Sequence, residues 1–141
     1  MIIDATDLAI LKILQQDPLI PATKIAEILN IKPATVRYRI KKMIDKGVIR
    51  RFLIDIDPKA IGYEITGYLL IRARPGKEFD IADELVKMNE VRGLIITIGD
   101  FSILTEIWCK DLDDYRKLMN KMNKNENVEE IVSLVQFKKV K

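Results

Sequence analysis

Histidine is absent from these 141 residues, and cysteine occurs once, at position 109. Those two facts remove much of the chemistry a protein can do. A zinc site needs about three or four Cys, His or carboxylate ligands, and a nucleophilic triad built on imidazole cannot be assembled. No glycine-rich phosphate cradle appears either, so the sequence predicts no enzyme, no cofactor and no metal. What remains is charge. Lys32, Arg37, Arg39, Lys41, Lys42, Lys46, Arg50 and Arg51 place eight cations within residues 32–51 against one acid, Asp45. Cations at that density suit a polyanion, whose condensed counterions they displace, or an anionic membrane surface. A solvated helix face is the plainer alternative. The formal net charge of +3 conceals a division: residues 1–51 hold ten basic and five acidic side chains, +5, while residues 52–141 hold fourteen and sixteen, −2.

The elements that must position those cations can be read from periodicity. Asp4 and Asp7 are spaced as a capping pair ahead of a helical stripe, Ile10, Leu11 and Leu14, that runs to about Gln16. Asp17-Pro18 breaks it. Pro21 can open a second helix with Ile25, Ile28 and Leu29 on one side, and the small Ala26 allows a close helix approach. Asn30 ends that helix, because Asn tolerates the left-handed conformation. Pro33 starts a third helix with Val36, Ile40, Met43 and Ile44 at i, i+4, i+7, i+8, stopped by Gly47. Three short helices, the last two separated by a few residues, make a helix-turn-helix candidate. Opposite the core stripe of the third helix lie Ala34, Thr35, Tyr38, Lys41, Lys42 and Asp45, flanked by Arg37 and Arg39. Small residues at the start would admit the helix to the major groove, with Arg, Lys and Tyr reaching base edges or phosphates; Arg50 and Arg51 would add phosphate contacts.

From Val48 the period changes to two. Phe52, Ile54 and Ile56 alternate with Leu53, Asp55 and Asp57, which predicts a strand. Residues 64–74 predict another, 77–89 a helix with Phe79, Ala82, Leu85, Val86 and Met88 inward, and 91–98 and 101–109 a hairpin about Gly99-Asp100. Asp111 would cap a helix carrying Leu112, Tyr115, Leu118, Met119 and Met122, and residues 128–141 hold a last strand; Trp108 and Cys109 read as core. The order β-α-β-β-α-β is the ferredoxin-like pattern, two helices on one face of an antiparallel sheet. We therefore expect an α+β chain divided as residues 1–50, a winged/helix-turn-helix domain; 51–63, a strand and linker; and 64–141, a ferredoxin-like dimerisation and effector domain. Leu69 beside Leu70, and Ile95 beside Ile96, make both sheet faces apolar, so a second copy is the expected cover. A homodimer would present two recognition helices to a pseudo-palindromic double-stranded DNA site. The lone cysteine excludes an internal disulfide, and neither a signal peptide nor an apolar run of about 20 residues is visible, which points to the cytoplasm and away from a membrane.

Taken together, ATDLAILKILQQD at 5–17, KIAEILNIKPATVRYRIKKMIDKGVIRRF at 24–52, IDPKAIGY at 56–63 and TIGDFSILTEIWCKD at 97–111 resemble the Lrp/AsnC, or feast/famine, family in order and spacing. The resemblance covers nearly the whole chain. It implies a transcription regulator whose dimers assemble further, up to octamers, and whose RAM/ACT-like C-terminal domain binds an amino-acid effector between subunits. The turn matched here is Thr97, Ile98, Gly99, Asp100, Phe101 and Ser102, in which backbone N–H groups would hold a carboxylate and the acid an ammonium. Read from the residues alone, Gly99-Asp100 is equally a plain hairpin turn. Two positions depart from the family pattern: Lys32 stands where a Ser or Thr often caps the recognition helix, and Ser102 where many amino-acid responders carry a second acid. An effector-independent architectural DNA-binding protein is the alternative the residues leave open.

Overall fold

The computed structural model describes residues 1–141, which divide into two compact units, Met1–Asp55 and Ile56–Lys141. The first unit contains three helices, α1 (Ala5–Gln16), α2 (Ala22–Leu29) and α3 (Pro33–Asp45). Each end has a chemical cause. Asp4 and Asp7 form a reciprocal capping box at the start of α1. Pro21 stands one residue ahead of α2 as its N-cap, and Asn30 takes the left-handed conformation at its end (φ 52, ψ 48). Pro33 is the first residue of α3, where a missing N–H costs nothing. Ile10, Leu14, Ile25, Ala26, Val36 and Met43 form the core of this unit. Ala26 is buried, and its carbonyl accepts from Ile31 N at 3.0 Å, which pulls the turn against α2. Ile28 and Ile44 were expected inward but are exposed, because each lies at the margin of a stripe that three short helices fill with their central residues.

The second unit begins with a 3₁₀ turn at Lys59–Ile61, closed by Gly62 in the left-handed region (φ 94). It continues through β1 (Ile65–Ala73), α4 (Glu78–Leu85), β2 (Val91–Ile96), β3 (Ile103–Cys109), α5 (Leu112–Asn123) and β4 (Val128–Val135). The sheet order is β2-β3-β1-β4 and every pairing is antiparallel, the ferredoxin-like arrangement. Register assigns the faces. Leu69, Ile71 and Ala73 of β1 and Ile103, Thr105, Ile107 and Cys109 of β3 are buried and share one core with Ile81 and Leu85 of α4 and Leu118 and Met122 of α5. The alternate residues face the other way, and among them Tyr68, Ile95 and Leu134 stay exposed.

Three expectations are corrected. The strand over Phe52–Ile56 is absent: no strand lies beside that segment within the chain, and a strand exists only through its ladder. Trp108 is not core. Alternation turns it to the face opposite Cys109, where it packs against Tyr63 with ring centroids 5.6 Å apart. Phe79, Val86 and Leu112 are exposed, because the inward stripe of α4 is Ile81, Ala82 and Leu85, and α5 turns its first residue outward.

Two details hold the sheet in register. A bulge at Arg92 interrupts the β2–β3 ladder, and the buried Thr105 hydroxyl donates to the Gly93 carbonyl at 2.7 Å. Gly67 lies tight against β4: a Cβ there would sit 2.2 Å from the Leu134 carbonyl oxygen. Two backbones meet, so no side chain can yield. Gly67→Ala is expected to cost about 1–3 kcal/mol, the range for overpacking a well-filled site. Thermal melting measures the loss, and amide hydrogen exchange should locate it in β4 with β2 unchanged.

Candidate nucleic-acid interface and effector turn

The outward face of α3 is where the predicted DNA contacts fall. Ala34, Arg37, Tyr38, Lys41 and Lys42 are exposed, Thr35 and Arg39 half-buried, and Arg50 and Arg51 exposed in the segment after the helix. These residues are not equivalent. The Lys41 ammonium is 2.8 Å from Asp45, one turn on, and that hydrogen bond raises its pKa. Lys42 Nζ lies 5.8 Å from the centre of the Tyr38 ring, so aromatic and cation form one patch.

Arg39 points elsewhere. Its guanidinium reaches Asp4 at 2.7 Å and Asp7 at 2.9 Å, tying α3 to the start of α1. Asp7 is buried, and its second carboxylate oxygen accepts from Asp4 N at 3.1 Å. The Asp4 carboxyl is held below its ordinary value, first by the hydrogen bond from Asp7 N and then by that from Arg39; both acids in turn raise the pKa of Arg39. The periodicity of α3 groups Arg39 with the outward cations, because nothing local in sequence shows acids more than thirty residues away.

The same accounting extends over residues 1–51. Asp4 and Asp7 bind Arg39, Glu27 binds Lys24, Asp45 binds Lys41, and Asp17 accepts from Leu19 N. All five acids are engaged. Lys12, Lys32, Arg37, Lys42, Lys46, Arg50 and Arg51 have no acid partner. Seven unneutralised cations on a unit this small leave a strongly positive surface, of the kind that attracts a polyanion.

In the second unit, residues 97–102 join β2 to β3. Thr97 N donates to the Ser102 carbonyl at 2.8 Å, and the Thr97 hydroxyl donates to the Phe101 carbonyl. Ser102 N donates to Ile71 O at 3.0 Å, and Ser102 Oγ accepts from Ala73 N at 3.2 Å. Gly99 has φ 149, a conformation L side chains rarely adopt. The N–H groups of Ile98, Gly99, Asp100 and Phe101 donate to no acceptor within the chain, and the Asp100 carboxylate has no partner. Four consecutive donors beside an unpaired acid are what a zwitterion's carboxylate and ammonium require. Ser102, standing where a second acid was looked for, spends its hydroxyl on the sheet.

Other candidates offer less. A groove of about 680 Å³ in the first unit is lined by Leu11, Leu14, Pro18, Phe52 and Leu53, with Arg50 and Arg51 as its charged residues, and has no acid to hold an ammonium. The Cys109 thiol is pushed up to about 11, chiefly by burial and then by Glu90, Asp114 and Asp111, which leaves it protonated and inert at neutral pH. The chain brings together no group of three or more Cys, Asp or Glu that could hold a metal, and no helix is long and apolar enough to cross a membrane.

Comparison with known proteins follows the same division. A family model described as winged helix-turn-helix DNA-binding matches residues 3–50, and one described as the Lrp/AsnC ligand binding domain matches residues 66–141. The chain is 35% identical over 140 residues to the HTH-type transcriptional regulator LrpA of Pyrococcus abyssi, covering 99% of each protein. It is 31% identical over 137 residues to the regulator FL11 of Pyrococcus furiosus, covering 97% of this chain and 91% of that one. Among solved structures, E. coli AsnC superposes with a TM-score of 0.81 at 25% identity, covering 99% of this chain and 95% of that one. A Neisseria meningitidis transcriptional regulator crystallised in complex with L-Met shares the fold, with a TM-score of 0.87 at 20% identity, covering 99% and 93%.

The Arg39 cluster has a pH signature. A carboxyl whose folded pKa lies below its unfolded value contributes stability that is present above about pH 3.9 and lost as pH falls through the folded value. The helical unit is therefore expected to lose stability on acidification below about pH 4. In Arg39→Gln, the Asp4 titration followed by NMR should move up towards 3.8, though not fully, since the bond from Asp7 N remains. A midpoint that does not move would remove Arg39 as a cause.

Proposed function

The chain belongs to the Lrp/AsnC family of transcriptional regulators, and on that premise we propose that it binds double-stranded DNA as a homodimer and responds to an amino-acid-type effector. Its relatives are transcription regulators rather than enzymes. The reading rests above all on the exposed face of α3, where Arg37 and Lys42 project from one helix with every nearby acid engaged elsewhere. Ala34 and Thr35 leave room for the start of α3 to enter a major groove. Arg37, Tyr38, Lys41 and Lys42 would reach bases or phosphates, and Arg50 and Arg51 phosphates. Arg39 serves by fixing the angle of α3 against α1. Cytoplasmic residence follows from a DNA partner.

The apolar face of the sheet, with Tyr68, Leu70, Ile95, Leu104, Val132 and Leu134, supports the homodimer and its further assembly to an octamer, since a patch of this kind calls for a partner surface. The effector would lie at subunit interfaces about Thr97, Ile98, Gly99, Asp100, Phe101 and Ser102. The open N–H groups and the Asp100 carboxylate support that site, as does the L-Met found with a regulator of the same fold.

Arg37→Ala and Lys42→Ala should each weaken DNA binding while leaving melting and oligomer size unchanged. Each should also lower the slope of log affinity against log salt by about one if the lost contact is to phosphate. Equal affinity for selected and random DNA at fixed salt would replace this reading with the architectural one. A ligand at about 100 times its Kd stabilises the folded chain by about 2.7 kcal/mol, so a panel of the common L-amino acids should contain one that raises the Tm. Asp100→Ala should abolish that rise; a rise that survives the substitution places the ligand elsewhere.

A further inference from the structure

The turn at residues 97–102 leaves the N–H groups of residues 98–101 unspent, and a connection in that state needs an external brace. Arg72, on β1, supplies one. Its Nε donates to the Asp100 carbonyl at 3.0 Å, its guanidinium lies 5.0 Å from the centre of the Phe101 ring, and its Nη1 meets the Glu130 carboxylate across the β1–β4 pair. The two central features of the turn, the Asp100 carbonyl and the Phe101 ring, are thus held by one planar group. The charge pairing is equally specific. The cation touches the backbone of Asp100, yet its ionic partner is Glu130, and the Asp100 carboxylate remains unpaired.

We propose that Arg72 is a positioning residue for the effector turn, and that Glu130 takes up its charge so that Asp100 stays available to a ligand's ammonium. The inference rests on the effector reading of the turn. A planar fork is needed for the first role, because a hydrogen bond to a carbonyl, a stack on a ring and an ion pair at a third edge must be made together; an ammonium on a flexible stem does not do this. The second role follows from competition. With Glu130 neutral, the guanidinium loses its acid partner while still bonded to the Asp100 carbonyl, and closing on the carboxylate of that same residue would neutralise the site from within. The ligand class this arrangement selects is one that brings its own ammonium.

The test uses the full chain and needs no ligand. Backbone ¹⁵N relaxation should give order parameters for residues 98–101 near the rigid value of about 0.85, falling below about 0.6 in Arg72→Met and in Arg72→Lys, with β1 and β3 unchanged. Retained order in both variants overturns the brace, and retained order in Arg72→Lys alone reduces it to an ion pair. The Asp100 carboxyl ¹³C resonance should move in Glu130→Gln and return in the double variant Glu130→Gln, Arg72→Met. A resonance that stays put in Glu130→Gln overturns the charge assignment. Melting the wild-type chain against the common L-amino acids is read separately: a flat panel with a loosened turn in the Arg72 variants sinks the effector reading and leaves the brace standing.

Discussion

A carboxylate buried in a small helical unit has to be answered by a cation, and in this chain the demand is made by Asp7. It lies within the core of the first unit, bonded to its own capping partner and to Arg39. The cost of leaving it unpaired would be large, so Arg39 is fixed on α1, and with it the rotation of α3 about its own axis. That rotation decides which residues are outward. Val36 and Met43 are packed inward by the same turn of the helix that leaves Arg37, Tyr38, Lys41 and Lys42 in water. The outward cationic face of α3 is thus set by an ion pair on the flank of the helix that displays it.

The sheet is organised by a different constraint, the period of two. β1 is one of the two inner strands, paired on both sides, and every odd residue from 69 to 73 is buried beneath the helices. The even residues then have no choice of face. Leu70 and Tyr68 join Leu104 and Leu134 across the ladders, Arg72 meets Glu130, and the outcome is a largely apolar surface with Glu106 opposite Tyr68 and a charged pair at one end. That pair lies beside the turn at residues 97–102 because β1 and β3 are in register there, Ile71 opposite Ile103. The brace on the turn is in this sense a by-product of strand pairing: a cation placed at position 72 has to arrive at the β2–β3 connection.

What the sequence revealed follows the range of the forces involved. The caps at Asp4 and Asp111, the left-handed Asn30 and the Pro33 start could all be read, because each is decided by residues within one turn. The six secondary elements of the second unit could be read from period and punctuation. Long-range partnerships could not. Arg39 looked outward, Trp108 looked buried, and the stretch at 52–56 looked like a strand, and each was decided by something distant in sequence or by a missing neighbour. Arg72 and Glu130 went unmarked as well, although a charged residue inside the run EITGYLLIRAR was a signal that one face of that strand met something polar.

The arginines show why composition points towards function without assigning it. Arg39 meets two acids and becomes a structural tie. Arg72 meets one acid, a carbonyl and a ring, and orders a turn. Arg92 meets no acid and lies 4.8 Å from the ring centres of both Tyr63 and Trp108, packing where a hydrocarbon would otherwise stand. Arg37 meets nothing, and is the one whose charge is left for a partner to satisfy. The same guanidinium therefore takes four roles according to what lies within reach, and the cations proposed to meet DNA are the ones the fold has not already used.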